Sequence, residues 1–144
     1  MNIAAILKQK GDKVVSVKPG DLTLEVARIL TEHRIGAALV RDPAGAILGI
    51  VSERDIVRGM AEHGPGTTQL PAERLMTRDL VTITPQTLVV EALSMMTRRR
   101  IRHLPVLQDQ RLVGMVSIGD LVKARIEEAE HEAEELKHYV VSGG

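Results

Sequence analysis

The amino-acid sequence predicts a mixed α/β (α+β) protein made of two copies of one βαββα unit, followed by a long C-terminal helix. An internal repeat is the first observation behind this prediction. Residues 15–19 (VSVKP) match residues 81–85 (VTITP), and residues 49–52 (GIVS) match residues 114–117 (GMVS). A repeat of about 65 residues is too long for a solenoid unit and is typical of a duplicated half-domain. The second observation is that, in each copy, segments with apolar residues at strand spacing alternate with segments that have them at helix spacing.

Each copy opens with a short β segment that ends at a proline and leads into an amphipathic helix. Asp21 and Thr87 are residues of the type that caps helices, so each helix is predicted to start just after one of them. Apolar residues at helical spacing mark the buried faces of these helices: Leu22, Val26, Ile29 and Leu30 in the first copy, and Val89, Leu93 and Met96 in the second.

Two apolar strands and a second helix complete each copy. The strands are predicted at about residues 37–41 and 46–51 in the first copy. In the second copy they are predicted at about residues 103–107 and 111–116. The helices that follow begin at Ser52 and at Ser117, which gives the order βαββα in both copies.

A small half-buried sheet cannot cover its own apolar face, so we expect the two copies to pack face to face about a pseudo-twofold axis. Such an arrangement creates two equivalent clefts, and junctions of this kind are common ligand sites. The predicted boundaries are a first repeat with a lead-in helix at 1–60, a linker at 61–77, a second repeat at 78–125, and a C-terminal helix and tail at 126–144. Short lead-in helices are predicted at residues 3–9 and 71–76.

Composition narrows the range of functions. The chain has no cysteine, which excludes disulfides, zinc–thiolate sites and thiol catalysis. Its formal net charge is zero and Tyr139 is its only aromatic residue, so nucleic-acid binding through stacked bases is disfavoured. No nucleophile elbow or P-loop is present, and we therefore expect no enzyme activity. No signal peptide or apolar run of roughly 20 residues is found, so a cytoplasmic protein is expected.

The duplicated motifs resemble those of a tandem pair of CBS domains, also called a Bateman module. The resemblance rests on residues 101–106 (IRHLPV), on residues 114–117 and on the two Ser-x-x-Asp sequences, and it covers residues 12–60 and 78–125. It implies two CBS repeats that form a regulatory module without catalytic activity. It also implies that AMP, ADP, ATP, NAD or S-adenosylmethionine binds in the clefts, that the protein forms a homodimer, and that its target is a separate protein.

The two Ser-x-x-Asp sequences are the first candidate site. Ser52 with Asp55, and Ser117 with Asp120, have the spacing of an N-capping box, in which serine caps a helix and the acid bonds back. The resemblance adds a second role, in which this aspartate accepts hydrogen bonds from the two ribose hydroxyls of a nucleotide. The two roles are compatible, because a carboxylate has enough acceptor sites for both.

Basic residues near the second repeat are candidates for phosphate contact. Arg102 and His103 enter a strand beside the expected cleft, and Arg54 could reach a phosphate held by the other repeat. Gly119 replaces Arg54, and Gly36 with an alanine replaces the Arg-His pair, so we expect two unequal clefts. The base would be held by apolar residues, for which plain core packing is the alternative: Val17, Ile35, Gly36 and Ala38, or Ile83, Ile101, Leu104 and Pro105.

The C-terminal helix carries an apolar seam with alternating spacings of four and three residues. Its members are Val122, Ile126, Ala129, Ala133, Leu136 and Val140. This heptad pattern favours a dimer contact, and the alternative is a helix that lies on its own domain. His131 and His138 are interpreted as part of a solvated acidic face rather than as metal ligands. A ligand-free interaction or dimerisation module is therefore the alternative to a nucleotide sensor.

Overall fold

The computed structural model describes residues 1–143 and divides into two compact units. We call Val14–Leu80 the first-repeat unit. The second-repeat unit combines Met1–Lys13 with the chain from Val81 onward. The elements in chain order are α1 (Ile3–Lys10), β1 (Ser16–Val17), α2 (Thr23–His33), β2 (Ala37–Arg41), β3 (Ile47–Ser52), α3 (Glu53–His63), a 3-10 helix (Gly64–Gln69), α4 (Ala72–Leu75), α5 (Val89–Arg99), β4 (His103–Gln108), β5 (Arg111–Ser117) and α6 (Ile118–Val141).

Both units contain the predicted βαββα arrangement, with strand ends within one residue of those expected. In the first-repeat unit, β1 pairs in parallel with β2, which pairs antiparallel with β3. In the second-repeat unit, β4 and β5 form an antiparallel hairpin, and Ile83 forms a parallel bridge to Val106 where the first unit has β1. The α/β fold class and the long C-terminal helix are thus confirmed.

The lead-in segments are exchanged between the repeats, which differs from the predicted boundaries. Helix α1 belongs to the second-repeat unit, where the amide of Ile3 donates to the carbonyl of Thr87 (2.9 Å). Helix α4 belongs to the first-repeat unit, where the amide of Ala72 donates to the carbonyl of Asp21 (2.7 Å). Both Ile3 and Ala72 are fully buried in the apolar core of the unit that they join. The structure thus groups residues 1–13 with the second repeat and not with the first, and the predicted linker at 61–77 contains the 3-10 helix and α4.

The N-caps of α2 and α5 also differ from the prediction. Asp21 and Thr87 do not cap these helices; Asp21 Oδ2 accepts from the amide of Lys18 (2.9 Å) and Thr87 Oγ1 accepts from the amide of Thr84 (3.1 Å). Leu22 and Leu88 occupy the cap positions without a side-chain hydrogen bond. The lead-in segments explain this, because their carbonyl groups accept from the first amide of each helix, at 2.9 Å and 3.0 Å. A capping side chain is not needed for an amide that already has a partner.

Candidate ligand-binding site

Each Ser-x-x-Asp sequence forms a complete capping box at the start of a helix. Ser52 Oγ accepts from the amide of Asp55 (3.3 Å), and Asp55 Oδ2 accepts from the amide of Ser52 (2.9 Å). In the second repeat the matching distances for Ser117 and Asp120 are 3.2 Å and 2.8 Å. The predicted capping role is confirmed, and it places both carboxylates at the N-terminus of a helix, where negative charge is stabilised.

Asp55 is buried and fully engaged by its own unit. Only 4% of it is exposed. Its Oδ2 atom accepts from the amide and the hydroxyl of Ser52, and its Oδ1 atom accepts from Thr77 Oγ1 (3.0 Å) and from Arg58 Nη1 (3.2 Å). Four donors converge on this carboxylate, so neither oxygen is open to a further ligand without loss of an existing bond.

Asp120 is more accessible, and its main side-chain partner is a lysine. The side chain is 26% exposed, and Lys10 Nζ lies 2.6 Å from Oδ2. Lys10 Nζ also donates to the carbonyl of Met115 (2.9 Å). Partial burial raises the pKa of the Asp120 carboxyl, but the hydrogen bonds from Lys10 and Ser117 and the lysine charge outweigh it, so the net pKa is below its ordinary value. The carboxylate is therefore ionised at neutral pH.

The predicted phosphate-contacting residues of the second repeat lie at the same end of the hairpin as Asp120. His103 is opposite Ser117 in the β4–β5 register, and the amide of Ile118 donates to the carbonyl of Arg102 (2.8 Å). The Arg102 side chain is exposed and His103 is half-buried. The backbone thus brings Arg102, His103 and the capping box together within one unit.

The matching end of the first repeat lacks these charges. Ala37 lies opposite Ser52, and the amide of Glu53 donates to the carbonyl of Gly36 (2.9 Å). Arg54 is exposed on the first turn of α3. The contact predicted between the Arg54 side chain and a phosphate bound by the other repeat stays a prediction.

Half of the residues predicted to hold a base belong to the cores of their own units. Val17 and Ala38 lie in the core of the first-repeat unit, at 4% and 0% exposure. Ile83 and Leu104 lie in the core of the second-repeat unit, at 4% and 0%. Pro105 is also buried. The three remaining residues, Ile35, Gly36 and Ile101, are partly exposed. Core packing explains the burial of the four core residues. Contact with a base stays a prediction for all eight residues.

Sequence reasoning missed Lys10 and Thr77, the two lead-in residues that contact the aspartates. The repeat offered no signal for them, because the lead-in segments differ in length and sequence. Helix α1 has eight residues and α4 has four. Lys10 also borders a cavity of about 190 Å³ within the second-repeat unit. The lining residues are Met1, Ile6, Gln9, Lys10, Asp120, Lys123, Ala124 and Glu127.

A second concave surface lies in the first-repeat unit between α2 and α3. It is an open groove of about 450 Å³ that includes Ile35 and Gly36 from the predicted set. Its wall is formed mainly by apolar side chains and carries the charged residues Arg34 and Glu53. Asp55 does not line it.

Comparison with known proteins agrees with the duplicated architecture. The CBS domain family model matches residues 10–62 and 72–127. The CBS domain-containing protein CBSX3, mitochondrial, of Arabidopsis thaliana is 34% identical over 98% of this chain and 72% of its own length. The crystal structure of the CBS-domain containing protein ATU1752 from Agrobacterium tumefaciens is 39% identical, with a TM-score of 0.85, over 86% of this chain and 92% of that one.

A third relative was solved with ligands. The CBS domain pair of protein MJ0100, in complex with 5′-methylthioadenosine and S-adenosyl-L-methionine, is 25% identical with a TM-score of 0.75, over 86% of this chain and 98% of that one. None of the three relatives named above is described as an enzyme. Within residues 1–143, no helix has both the length and the apolar character needed to cross a membrane. Two family matches that together cover most of the chain, in the same order as the two structural repeats, show that this protein belongs to the CBS domain family as a tandem CBS pair.

Proposed function

We propose that this CBS pair is a regulatory module that binds an adenosine-containing nucleotide, with Asp120 accepting hydrogen bonds from the ribose hydroxyls. The observation that carries the proposal is the environment of the Asp120 carboxylate. It is ionised, 26% exposed, and paired with the flexible side chain of Lys10. A carboxylate held open in this way has the acceptor geometry that a vicinal diol requires.

Displacement of Lys10 is the step that makes room for the ligand. Lys10 is itself 39% exposed, and an ion pair that is this accessible to water contributes little to stability. The ribose hydroxyls replace the lysine as donors to the carboxylate. The Ser117 amide donates to the same Oδ2 atom of the Asp120 side chain, and this capping bond stays in place while the exchange occurs.

Charge beside Asp120 favours a phosphorylated ligand. Arg102 and His103 lie at the same end of the β4–β5 hairpin, and Lys10 brings a further cation once it leaves the carboxylate. Arginine provides planar, paired donors that match phosphate oxygens, and a histidine can add another. AMP, ATP and NAD therefore remain the leading candidates, and no obligatory cofactor is proposed. The adenosyl ligands of MJ0100 support the adenosine part of the proposal.

Asp55 is assigned a structural role, which makes the two repeats unequal. At least one of its four donors would have to be given up for each ribose hydroxyl that binds. The counterpart of the Arg-His pair is Gly36 followed by an alanine, so no cation is available at that position for a phosphate. We infer that the tighter nucleotide site uses Asp120.

Calorimetric titration of the full chain with AMP, ATP, NAD and S-adenosylmethionine tests the proposal. We expect at least one ligand to bind, and we expect Asp120→Asn to weaken it at least tenfold, because one acceptor becomes an amide. Asp55→Asn is the matched control and should change affinity less than threefold. Melting temperatures of both variants verify that they are folded. Equal losses in the two variants, or no binding of any adenosine compound, would contradict the proposal.

A thermal shift assay provides an independent readout on unmodified protein. A ligand that binds only the folded state adds about 2.7 kcal/mol of stability at 100 times its dissociation constant. The alternative function, a ligand-free interaction module, predicts no shift with any of these compounds. That alternative is favoured by one observation, the exposed apolar side chains of α6, and these are compatible with a sensor as well.

A further inference from the structure

The C-terminal half of α6 extends beyond the core of its unit. Leu121 and Ala124, in the first two turns of the helix, are buried in that core. From residue 129 to residue 141 every side chain is exposed, although the backbone stays helical. A helical segment of this length is only marginally stable in water unless an apolar face is covered. The segment therefore requires a partner surface.

The predicted seam is an uninterrupted apolar stripe on this helix. Val122 is 44% exposed, Ile126 is 52%, Leu136 is 65% and Val140 is 68%. The spacings of four and three place Ile126, Ala133 and Val140 at heptad position a, and Val122, Ala129 and Leu136 at position d. With about 100° between successive residues, this stripe lies on a different face from Leu121 and Ala124. It is free to meet another helix while α6 stays packed on its own unit.

Charges beside the seam identify the partner as a second copy of this chain. We propose that two α6 helices form a parallel, in-register coiled coil. In that arrangement each g position meets the following e position of the other helix. Glu132 then faces Lys137 of the partner subunit. Arg125, which pairs with Glu128 of its own helix through Nη1 (2.7 Å), has further guanidinium donors and faces Glu130 of the partner subunit. Twofold symmetry repeats both pairs, so four attractive contacts border the seam.

The reverse orientation places like charges together. In an antiparallel pair that overlaps the whole seam, e positions face e positions and g positions face g positions. Glu130 then faces Glu130 of the partner subunit, and Glu132 faces Glu132 of the partner subunit. Lys123 faces Lys137 of the partner subunit in the same arrangement. These contacts are repulsive, so the charge pattern favours the parallel orientation.

A charge-swap series in the full chain, read by sedimentation velocity, tests this arrangement. Glu132→Lys should weaken association about tenfold, because two symmetric attractions become repulsions. Adding Lys137→Glu should restore wild-type association, since the pair is re-formed with reversed signs. The matched control is Glu134→Lys, which makes the same change at a position away from the seam and should leave association unchanged.

A cross-linking experiment reports the orientation directly. The chain has no cysteine, so Val140→Cys introduces a single thiol. In the parallel coil the two introduced thiols are adjacent, and mild oxidation should give a covalent dimer. A monomeric wild-type protein, a dimer indifferent to Glu132→Lys, or failure of either the rescue or the cross-link would overturn the proposal. Nucleotide binding to Asp120 does not depend on this result, so the two proposals fail separately.

Discussion

The two capping boxes share the same serine and aspartate, yet the lead-in segments give them different neighbours. In the first-repeat unit, Thr77 pairs with Ile50 through two backbone hydrogen bonds (2.8 Å and 3.0 Å), and its hydroxyl donates to Asp55. In the second-repeat unit, one lysine Nζ donates both to the carbonyl of Met115, which corresponds to Ile50, and to Asp120. In the second-repeat unit, the flexible Lys10 side chain thus takes the place of both the Thr77–Ile50 backbone pairing and the Thr77 hydroxyl.

This difference separates a structural carboxylate from one that can exchange partners. The Thr77 hydroxyl is held by its backbone bridge, so a ligand can displace it only if the bridge opens. The lysine side chain is 39% exposed and regains rotamer freedom, worth up to about 2 kcal/mol, when it leaves the carboxylate. Both repeats contain a capping box, and the lead-in segment of each unit determines whether the carboxylate of that box is accessible to a ligand.

The largest expected effect is the loss of stability in Asp55→Ala. This change leaves the Ser52 amide, the Ser52 hydroxyl and the Thr77 hydroxyl without their common acceptor in a buried position. We expect a loss of about 3 kcal/mol in the free energy of unfolding, measured by urea denaturation. Asp120→Ala removes mainly a cap and an accessible ion pair, so about 1 kcal/mol is expected. Similar losses in the two variants would show that the sites are equivalent in the folded protein.

The sequence was sufficient for the repeats, the capping boxes and most strand boundaries, because each of these depends on local spacing. Strand β2 was predicted at 37–41 and is found at Ala37–Arg41. The start of α2 after Leu22 was not predicted, since the amide of Thr23 is satisfied by the carbonyl of Leu70 (2.9 Å), which is distant in the sequence. A local sequence pattern does not indicate a hydrogen-bond acceptor that comes from a distant segment of the chain.

The same reason explains what was missed at the site. The sequence located Asp55 and Asp120 and predicted two unequal clefts, but it did so from the residues that replace Arg54, Arg102 and His103 and not from the surroundings of the two carboxylates. Their different accessibility depends on Thr77 and Lys10, which the exchange of lead-in segments brings to them. The contact between Lys10 and Asp120 spans 110 positions in the sequence, and nothing in the repeat alignment pairs these residues.

Two corresponding glycines test whether the lead-in segments are held with different rigidity. A Cβ atom at Gly49 would lie 2.7 Å from the backbone oxygen of Thr77, whereas one at Gly114 would lie 2.6 Å from the end of the Leu7 side chain. The Thr77 backbone cannot shift as readily as a methyl group of the Leu7 side chain. We expect Gly49→Ala to cost about 2–3 kcal/mol and Gly114→Ala at most about 1 kcal/mol in urea unfolding. The reverse order would contradict the rigid attachment of Thr77.

Removal of the two lead-in contacts sharpens the comparison further. Thr77→Val keeps the side-chain shape but leaves a buried carboxylate with one donor fewer, at a cost of about 1–2 kcal/mol. Lys10→Met keeps most of the apolar stem and should cost less than about 1 kcal/mol, because the ion pair is partly exposed. Chemical denaturation measures both. A larger loss for Lys10→Met would mean that the lysine is a structural element and not a displaceable partner.

The smallest expected effect concerns pH and is specific to Asp120. Its pKa is lowered in the folded protein, so the ionised form contributes stability that is present above the unfolded pKa of about 3.9 and is lost as pH falls through the lower folded value. Lys10→Met removes the main cause of the lowering, so the carboxyl should then titrate at a higher pH. Carbon-13 detection of the Asp120 carboxyl resonance measures this shift. Because protonation removes the ion pair, the stability difference between wild type and Lys10→Met should narrow as pH falls below about 4. A difference that persists at low pH would show that Lys10 acts through its contact with the Met115 carbonyl and not through the carboxylate.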